Sequence, residues 1–296
     1  MNPRTTTTAG AGTPGTHPED AALLTIRELC VSYPGKGRRA RRTEVLRGVD
    51  LDIRAGETLG LVGESGSGKT TLGRAVLGLV PVASGTVTFD GERIDTAATA
   101  RRRALSRDLQ VIFQDPYTSL NPSLTIGDTL AEPLIGQGAD AQEARGRVGD
   151  LLDRVHLPAD AARRLPREFS GGQRQRVAIA RALALRPRLV VCDEPVSALD
   201  LTTQRTVLDL LLEIQEETGV AYLFVSHDLS VVRCMSHRVA VIHQGEIVES
   251  GDTGQITGSP QHPYTRALLL SAPVADVAEQ RRRREQRAAA RAASAG

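Results

Sequence analysis

An α/β architecture is predicted for this chain: a mostly parallel sheet with an antiparallel β sub-domain and an inserted helical sub-domain. Three observations carry the prediction. Short apolar runs at Thr58–Val62, Leu109–Phe113, Leu189–Cys192 and Val220–Val225 alternate with stretches of helical periodicity, as buried parallel strands and their crossover helices do. The first run feeds directly into Gly63-Glu64-Ser65-Gly66-Ser67-Gly68-Lys69-Thr70, a glycine-rich loop that opens a helix. Towards the N-terminus, Leu23–Pro34 and Glu44–Ile53 alternate apolar with polar residues, the pattern of antiparallel strands with one wet face.

Met1–Asp20 is rich in Thr, Gly and Pro and is expected to be a disordered tail. Residues 35–42 form a basic loop between the first two strands. Leu72, Val76 and Leu79 recur at helical spacing and predict a helix over Lys69–Leu79. Gly85–Phe89, Asp90-Gly91 and Glu92–Ile94 predict a hairpin with a two-residue turn, and Val239–Ile242, Gly245 and Glu246–Glu249 predict a second. From Thr125 to about Arg167 the pattern is helical, with breaks expected at Pro133, Pro158 and Pro166. Further helices are expected over Gly172–Leu185 and Thr202–Thr218. The expected division is a tail at 1–20, a main domain at 21–258 with its helical sub-domain at about 115–186, a C-terminal element at 259–275, and a basic Arg/Ala-rich tail at 276–296.

With 296 residues and 40% hydrophobic content the chain can bury a sizeable core. Its 37 basic and 35 acidic residues nearly cancel, which argues against nucleic acid as a partner for the chain as a whole. Cys30, Cys192 and Cys234 are far apart and read as isolated, reduced thiols, Cys192 as a small core hydrophobe. No apolar stretch has the roughly 18 residues of a membrane span, and the N-terminal segment lacks the apolar centre of a signal peptide. Contact with a membrane is therefore expected to run through another protein or the surface. Arg38–Arg42, Arg101–Arg103 and Arg281–Arg284 are basic clusters read as solvated, with anionic lipid headgroups as the sharper alternative.

The glycine loop is suited to phosphate. Successive backbone N–H groups can curl around phosphate oxygens where no Cβ intervenes, and the following helix presents its positive end to the same anion. Gly63, Glu64, Ser65, Gly66, Ser67, Gly68, Lys69, Thr70 and Thr71 are the expected nucleotide contacts, with Lys69 on the β- and γ-phosphates and the Thr70 hydroxyl on Mg²⁺. Asp193 and Glu194 leave a buried strand together; Asp193 is assigned to Mg²⁺ through its water shell and Glu194 to the attacking water as general base. His227 follows the next buried strand, so it opens on the same sheet edge and can orient that water. His156, His237, His243 and His262 have no such context and are read as surface or packing residues.

These residues resemble the nucleotide-binding subunits of ABC transporters, over a span from about Leu23 to Ala272. The resemblance implies a P-loop NTPase core of ABC type with ATP and Mg²⁺ as ligands. Ser170-Gly171-Gly172-Gln173, after Phe169, is similar to the ABC signature, which in that family contacts the γ-phosphate held by a second subunit packed head to tail. Ser197-Ala198-Leu199-Asp200 resembles the D-loop, which places Asp200 at the subunit contact. Gln114 matches the Q-loop glutamine that senses Mg²⁺ and water. Tyr33 is a candidate for the adenine-stacking aromatic, with edge-strand packing as its alternative.

Phe113–Pro122 and His262-Pro263-Tyr264-Thr265-Arg266-Ala267-Leu268 are similar to segments of oligopeptide and dipeptide importers, the former leaning to the F-type subunit. The resemblance implies an ATPase peripheral on the cytoplasmic face of the membrane. Its implied partners are a second ATPase subunit, in such importers usually a different chain rather than a second copy, permease subunits and, indirectly, an extracytoplasmic solute-binding protein. The His-Pro-Tyr segment itself is expected to be a structural helix cap. His237 stands where the family often has aspartate before Arg238, which leaves any ion pair at that position in doubt, and no iron–sulfur cluster is expected because no cysteine follows Cys234. The alternative is a soluble ABC ATPase acting on nucleic acid or ribosomes. Broken helices without sustained heptads between Lys69 and Ser170 argue against it.

Overall fold

The computed structural model of the chain describes residues 22–35 and 42–271. Both expected tails and most of the basic loop at 35–42 fall outside them. Strands β1 (Ala22–Tyr33) and β2 (Thr43–Arg54) pair antiparallel, and after β3 (Thr58–Val62) the hairpin of β4 (Ser84–Phe89) and β5 (Glu92–Arg93) completes a four-stranded sheet in the order β2-β1-β4-β5. The hairpin turn at Asp90 (φ 51°) and Gly91 (φ 77°) has two positive φ values, as a two-residue turn that follows the strand twist requires.

The second sheet has six strands. It runs from β10 (Glu246–Asp252) and β9 (Arg238–His243) through β3 to β8 (Ala221–Ser226), β7 (Leu189–Asp193) and β6 (Leu109–Ile112). All its neighbours are parallel except β9 and β10, which form the second expected hairpin. Its central strands β3, β7, β8 and β9 are buried on both faces, and their alternation divides the core. Val62, Val190, Cys192, Tyr222, Phe224, Val239 and Val241 point to one side; Leu59, Leu61, Leu189, Val191, Leu223, Val225, Ala240 and Ile242 point to the other. The second side packs on α1 (Lys69–Val76), which is covered in turn by the β1/β2/β4 sheet. Such uninterrupted apolar strands are what two-sided burial demands.

Between β4–β5 and β6 lies α2 (Thr99–Leu105), and the helices α3 (Pro116–Ser119), α4 (Ile126–Gly136), α5 (Ala141–Gly146), α6 (Val148–Arg154) and α7 (Gly171–Leu183) lie between β6 and β7. Their apolar residues, among them Leu120, Ile126, Leu130 and Leu152, form one continuous cluster with the first face of the sheet. After β7 come α8 (Leu201–Thr218) and, beyond β8, α9 (Leu229–Met235); α10 (Thr253–Gly258) and α11 (Pro263–Ser271) follow β10. Helix α9 approaches β3 closely at Gly60, where a Cβ would lie 2.5 Å from both Val232 and Ser236.

Two expectations need correction. Pro133 does not break the chain but lies inside α4, where Leu130, Ala131 and Leu134 are buried on either side of it. Burial of that face outweighs the one backbone hydrogen bond a proline removes. Helix α1 stops at Val76, followed by Gly78 at φ 67°, so Leu79 is 60% exposed rather than on the helix's apolar face. At the position where the sequence leaves an ion pair in doubt, His237 Nδ1 accepts the Thr58 N–H, and the neighbouring Arg238 pairs with Asp52 at 3.0 Å and Glu57 at 3.2 Å.

Helices α7 and α8 meet through Gly172, where an added Cβ would stand 2.1 Å from the Thr203 methyl group. Gly172→Ala is therefore expected to lower stability by about 1–3 kcal/mol through overpacking. Thr203→Ser removes that methyl and keeps the hydroxyl that bonds Asp200 at 2.6 Å. Chemical denaturation should show the double variant recovering most of the loss; no recovery would mean that the joint is not the source of the cost.

Candidate nucleotide site

Because β3, β6, β7, β8 and β9 run parallel, their C-terminal ends open on one edge of the sheet. There β3 delivers the glycine loop, β6 delivers Gln114, β7 delivers Asp193 and Glu194, β8 delivers His227, and β9 delivers the turn at Gln244-Gly245. A cleft of about 320 Å³ lies along this edge, lined by Val45, Ser65, Gly66, Gly68, Lys69, Thr70, Thr71, Gln114 and Glu194.

The glycines of the loop answer specific constraints. Gly66 and Gly68 have φ of 82° and 112°, in the region that side chains disfavour. At Gly63 a Cβ would lie 2.2 Å from the Ile242 carbonyl oxygen. The loop is also stitched to its surroundings: the Gly245 N–H donates to the Ser67 carbonyl at 3.0 Å, and the Arg47 N–H donates to the Gly245 carbonyl at 2.9 Å.

Lys69 is buried, and its Nζ donates to the carbonyls of Gly63 and Glu64, both at 2.8 Å. Burial lowers its pKa, opposed by the negative charges of Glu194, Asp193 and Glu64. The Thr70 hydroxyl donates to Asp193 Oδ1 at 3.1 Å. Burial pushes the Asp193 carboxyl up, with the Thr70 hydrogen bond opposing and the nearby Glu194 charge reinforcing. The two shifts share one cause, ionic groups drawn out of water beside a sheet edge.

Glu194 takes φ 49°, unusual for a residue with a side chain. Its N–H donates to the Val225 carbonyl at 3.0 Å, and its carboxylate oxygen Oε2 lies 3.1 Å from His227 Nδ1. The side chain of Glu194 is mostly covered and that of His227 is exposed. Cys192, two residues earlier, is fully buried and its thiol is pushed up by that burial, in keeping with a core hydrophobe.

These residues suit the groups the sequence implies. The Ser67 hydroxyl is buried with no hydrogen-bond partner in the protein, and Lys69 offers a cation at the same loop. Among the described residues no cluster of three His, Cys, Asp or Glu side chains forms a self-sufficient metal site. A threonine hydroxyl beside one carboxylate fits Mg²⁺ instead, which is held by one or two protein oxygens together with phosphate and water.

Other expected contacts lie elsewhere. Ser170 caps α7 in a capping box with Gln173: the Gln173 N–H donates to Ser170 Oγ at 3.3 Å, and the Ser170 N–H donates to Gln173 Oε1 at 2.9 Å. The first-turn amides of Gly171 and Gly172 have no carbonyl to bond within the helix. Asp200 caps α8 through the Thr202 and Thr203 amides, and the Thr203 hydrogen bond holds its carboxyl below the usual range. Neither helix start lines the cleft, and neither does Tyr33, whose ring packs partly buried on the core beneath the four-stranded sheet. The Gln114 segment is tied to α7: Asp115 caps α3, and the Arg174 guanidinium lies 4.3 Å from the Tyr117 ring centre.

Three contributors were not expected at this site from the sequence. Val45 lines the cleft from β2, Gly245 braces the loop, and Tyr264 of α11 accepts the Glu64 N–H at 3.0 Å. The last contact ties the His-Pro-Tyr segment to the start of the glycine loop.

Residues 46–197 match the model of the family described as ABC transporter, and residues 248–296 match that of the oligopeptide/dipeptide transporter C-terminal region. The chain is 50% identical over 267 residues to the glutathione import ATP-binding protein GsiA of Escherichia coli O6:H1, covering 88% of this chain and 43% of that protein. It is 51% identical over 269 residues to GsiA of Pectobacterium atrosepticum, covering 89% and 43% respectively. The chain thus spans less than half the length of the curated relatives it matches. Among solved structures, a dimeric ATP-binding cassette in a post-hydrolysis state bound to ADP and Pi is 30% identical, with 78% of this chain and 99% of that chain covered and a TM-score of 0.70. CbiO1 from Clostridium perfringens, part of an ABC transporter complex, is 26% identical, with 80% and 91% covered and a TM-score of 0.71. On these matches, and on the sheet edge that carries the glycine loop, the Asp193-Glu194 pair and His227, the chain belongs to the ABC transporter family.

Proposed function

We propose that this chain is the ATP-hydrolysing, nucleotide-binding subunit of an importer for oligopeptides or dipeptides. The observation that carries the reading is a single cleft in which Lys69, Thr70, Gln114 and Glu194 converge, in a chain that also matches the oligopeptide/dipeptide C-terminal region. The relatives named for glutathione import support a small peptide as cargo.

In this mechanism the glycine-loop amides and Lys69 bind the phosphates of ATP, Lys69 exchanging its two backbone carbonyls for phosphate oxygens. Thr70 and Asp193 are the residues that would hold Mg²⁺, which would supply positive charge to offset that of the phosphate oxygens. Glu194 takes the proton of the attacking water at its carboxylate, and His227, 3.1 Å away, orients that carboxylate and the γ-phosphate. Gln114 follows the state of the metal and the water and passes it to α7 through the Asp115–Ser119 turn. Ser170–Gln173 and Asp200 act across a subunit contact, where the positive start of α7 meets the γ-phosphate held by a second ATPase chain, different from this one. Permease subunits dock near Gln114–Asn121, and a solute-binding protein outside the membrane delivers cargo to them. The subunit works peripherally on the cytoplasmic face, and no described helix is long and apolar enough to cross a membrane.

Glu194→Gln is expected to retain ATP while turnover falls about 10²–10⁴-fold. Turnover at the unsubstituted rate would remove Glu194 from the general-base role. Lys69→Ala should abolish ATP binding in the same assay. Tyr33→Ala should weaken ATP binding about fivefold or more if its ring stacks on adenine; an unchanged Kd would leave it as a packing residue of β1. Tagged Glu194→Gln, purified from native membranes in Mg-ATP, should bring down permease subunits and a second ATPase. Recovery with ribosomes or DNA and no permease would overturn the importer reading.

A further inference from the structure

The Gly63–Glu64 peptide unit at the start of the phosphate loop is gripped from both ends. Its carbonyl, Gly63 O, accepts from Lys69 Nζ at 2.8 Å, and its amide, Glu64 N–H, donates to the Tyr264 phenol oxygen at 3.0 Å. Lys69 belongs to the loop itself. Tyr264 belongs to α11, 200 residues further along the chain.

Tyr264 is in turn firmly placed. Its ring lies against the His243 ring at the end of β9, centroids 3.8 Å apart and planes inclined by 32°. Its N–H donates to His262 Nδ1 at 3.2 Å. The Glu249 carboxylate on β10 accepts the N–H groups of Gln261 at 2.6 Å and His262 at 3.1 Å, anchoring the turn that leads into α11. Leu268 and Leu269, one helical turn further on, pack on the core cluster beneath the helical side of the sheet. Burial raises the phenol's pKa, with the Glu64 N–H bond opposing and the Glu64 charge reinforcing, so the phenol stays protonated and accepts the amide through an oxygen lone pair.

We propose that Tyr264 is a positioning residue of the nucleotide site: its hydroxyl fixes the Glu64 amide opposite Lys69, so that the C-terminal His-Pro-Tyr element sets the geometry of the phosphate loop and its affinity for ATP. The inference rests on the nucleotide-binding reading given above. It assigns the C-terminal element a task beyond packing, as a brace through which anything that shifts α11 changes how the loop holds phosphate. The hydroxyl does not touch the reacting atoms; it acts only through residue 64.

The test uses the full chain and Mg-ATP, with Tyr264→Phe as the central variant, because phenylalanine keeps the ring stacked on His243 and deletes only the hydroxyl. Calorimetry should give a Kd about three- to tenfold weaker than the unsubstituted chain, the effect of one lost hydrogen bond. KM for ATP should rise by a similar factor, with kcat moving less. Hydrogen exchange over residues 60–66 should quicken without nucleotide, while the melting temperature shifts little. Tyr264→Ala, which also loses the ring contact, should weaken binding further and lower the melting temperature. If Tyr264→Phe binds Mg-ATP as tightly as the unsubstituted chain while Lys69→Ala has lost binding, the hydroxyl has no positioning role and the inference falls. If the unsubstituted chain itself fails to bind Mg-ATP, the nucleotide reading falls and this inference with it.

Discussion

Burial of the larger sheet on both faces is the constraint from which the rest of the molecule follows. The sheet's parallel strands are covered on both faces and so are short and apolar, and parallel neighbours need crossovers that return the chain to the same starting edge. The opposite edge then collects every strand exit. Here those exits are the glycine loop, Gln114, Asp193-Glu194, His227 and the Gln244-Gly245 turn. The cleft is thus a product of topology, and the chemistry is placed where apolar strands run out.

The polar groups at that edge are not at ease. Lys69 and Asp193 are both shifted against their ionised forms by burial, and Glu194 occupies a backbone conformation that a side chain disfavours. Glycine at 194 would relax the backbone and remove the carboxylate. Strain of this kind, of order 1–3 kcal/mol, is held in place by surroundings that fix it from several directions. Val225 bonds the Glu194 amide, Ser197 bonds its carbonyl, and His227 bonds its carboxylate.

Much of this was legible in the sequence because it depends on local order along the chain. The glycine loop after an apolar run, the carboxylates after another and the histidine after a third are strand-exit positions, and period and spacing reveal them. Both hairpins were legible from Asp90-Gly91 and Gly245. What was not legible is pairwise. Nothing near Tyr264 announces that its hydroxyl meets the Glu64 amide, and nothing near Val45 announces that it borders the cleft. Pro133 misled because a local breaker rule lost to burial of Leu130 and Leu134 on a shared face. Arg238 found Asp52 and Glu57, partners from strand and turn that no neighbouring residue predicts.

The two carbonyls that hold the Lys69 ammonium bear on which anions the loop can select. Any incoming anion must displace contacts already made at 2.8 Å, so the gain is a difference and not the full attraction of a bare cation. A polyphosphate brings several charges to one small volume and also bonds the amides around it, so it offsets the displaced carbonyls more fully than an anion with a single charge. Because Lys69 already holds two carbonyls, the net gain on binding grows with the charge density of the anion that replaces them.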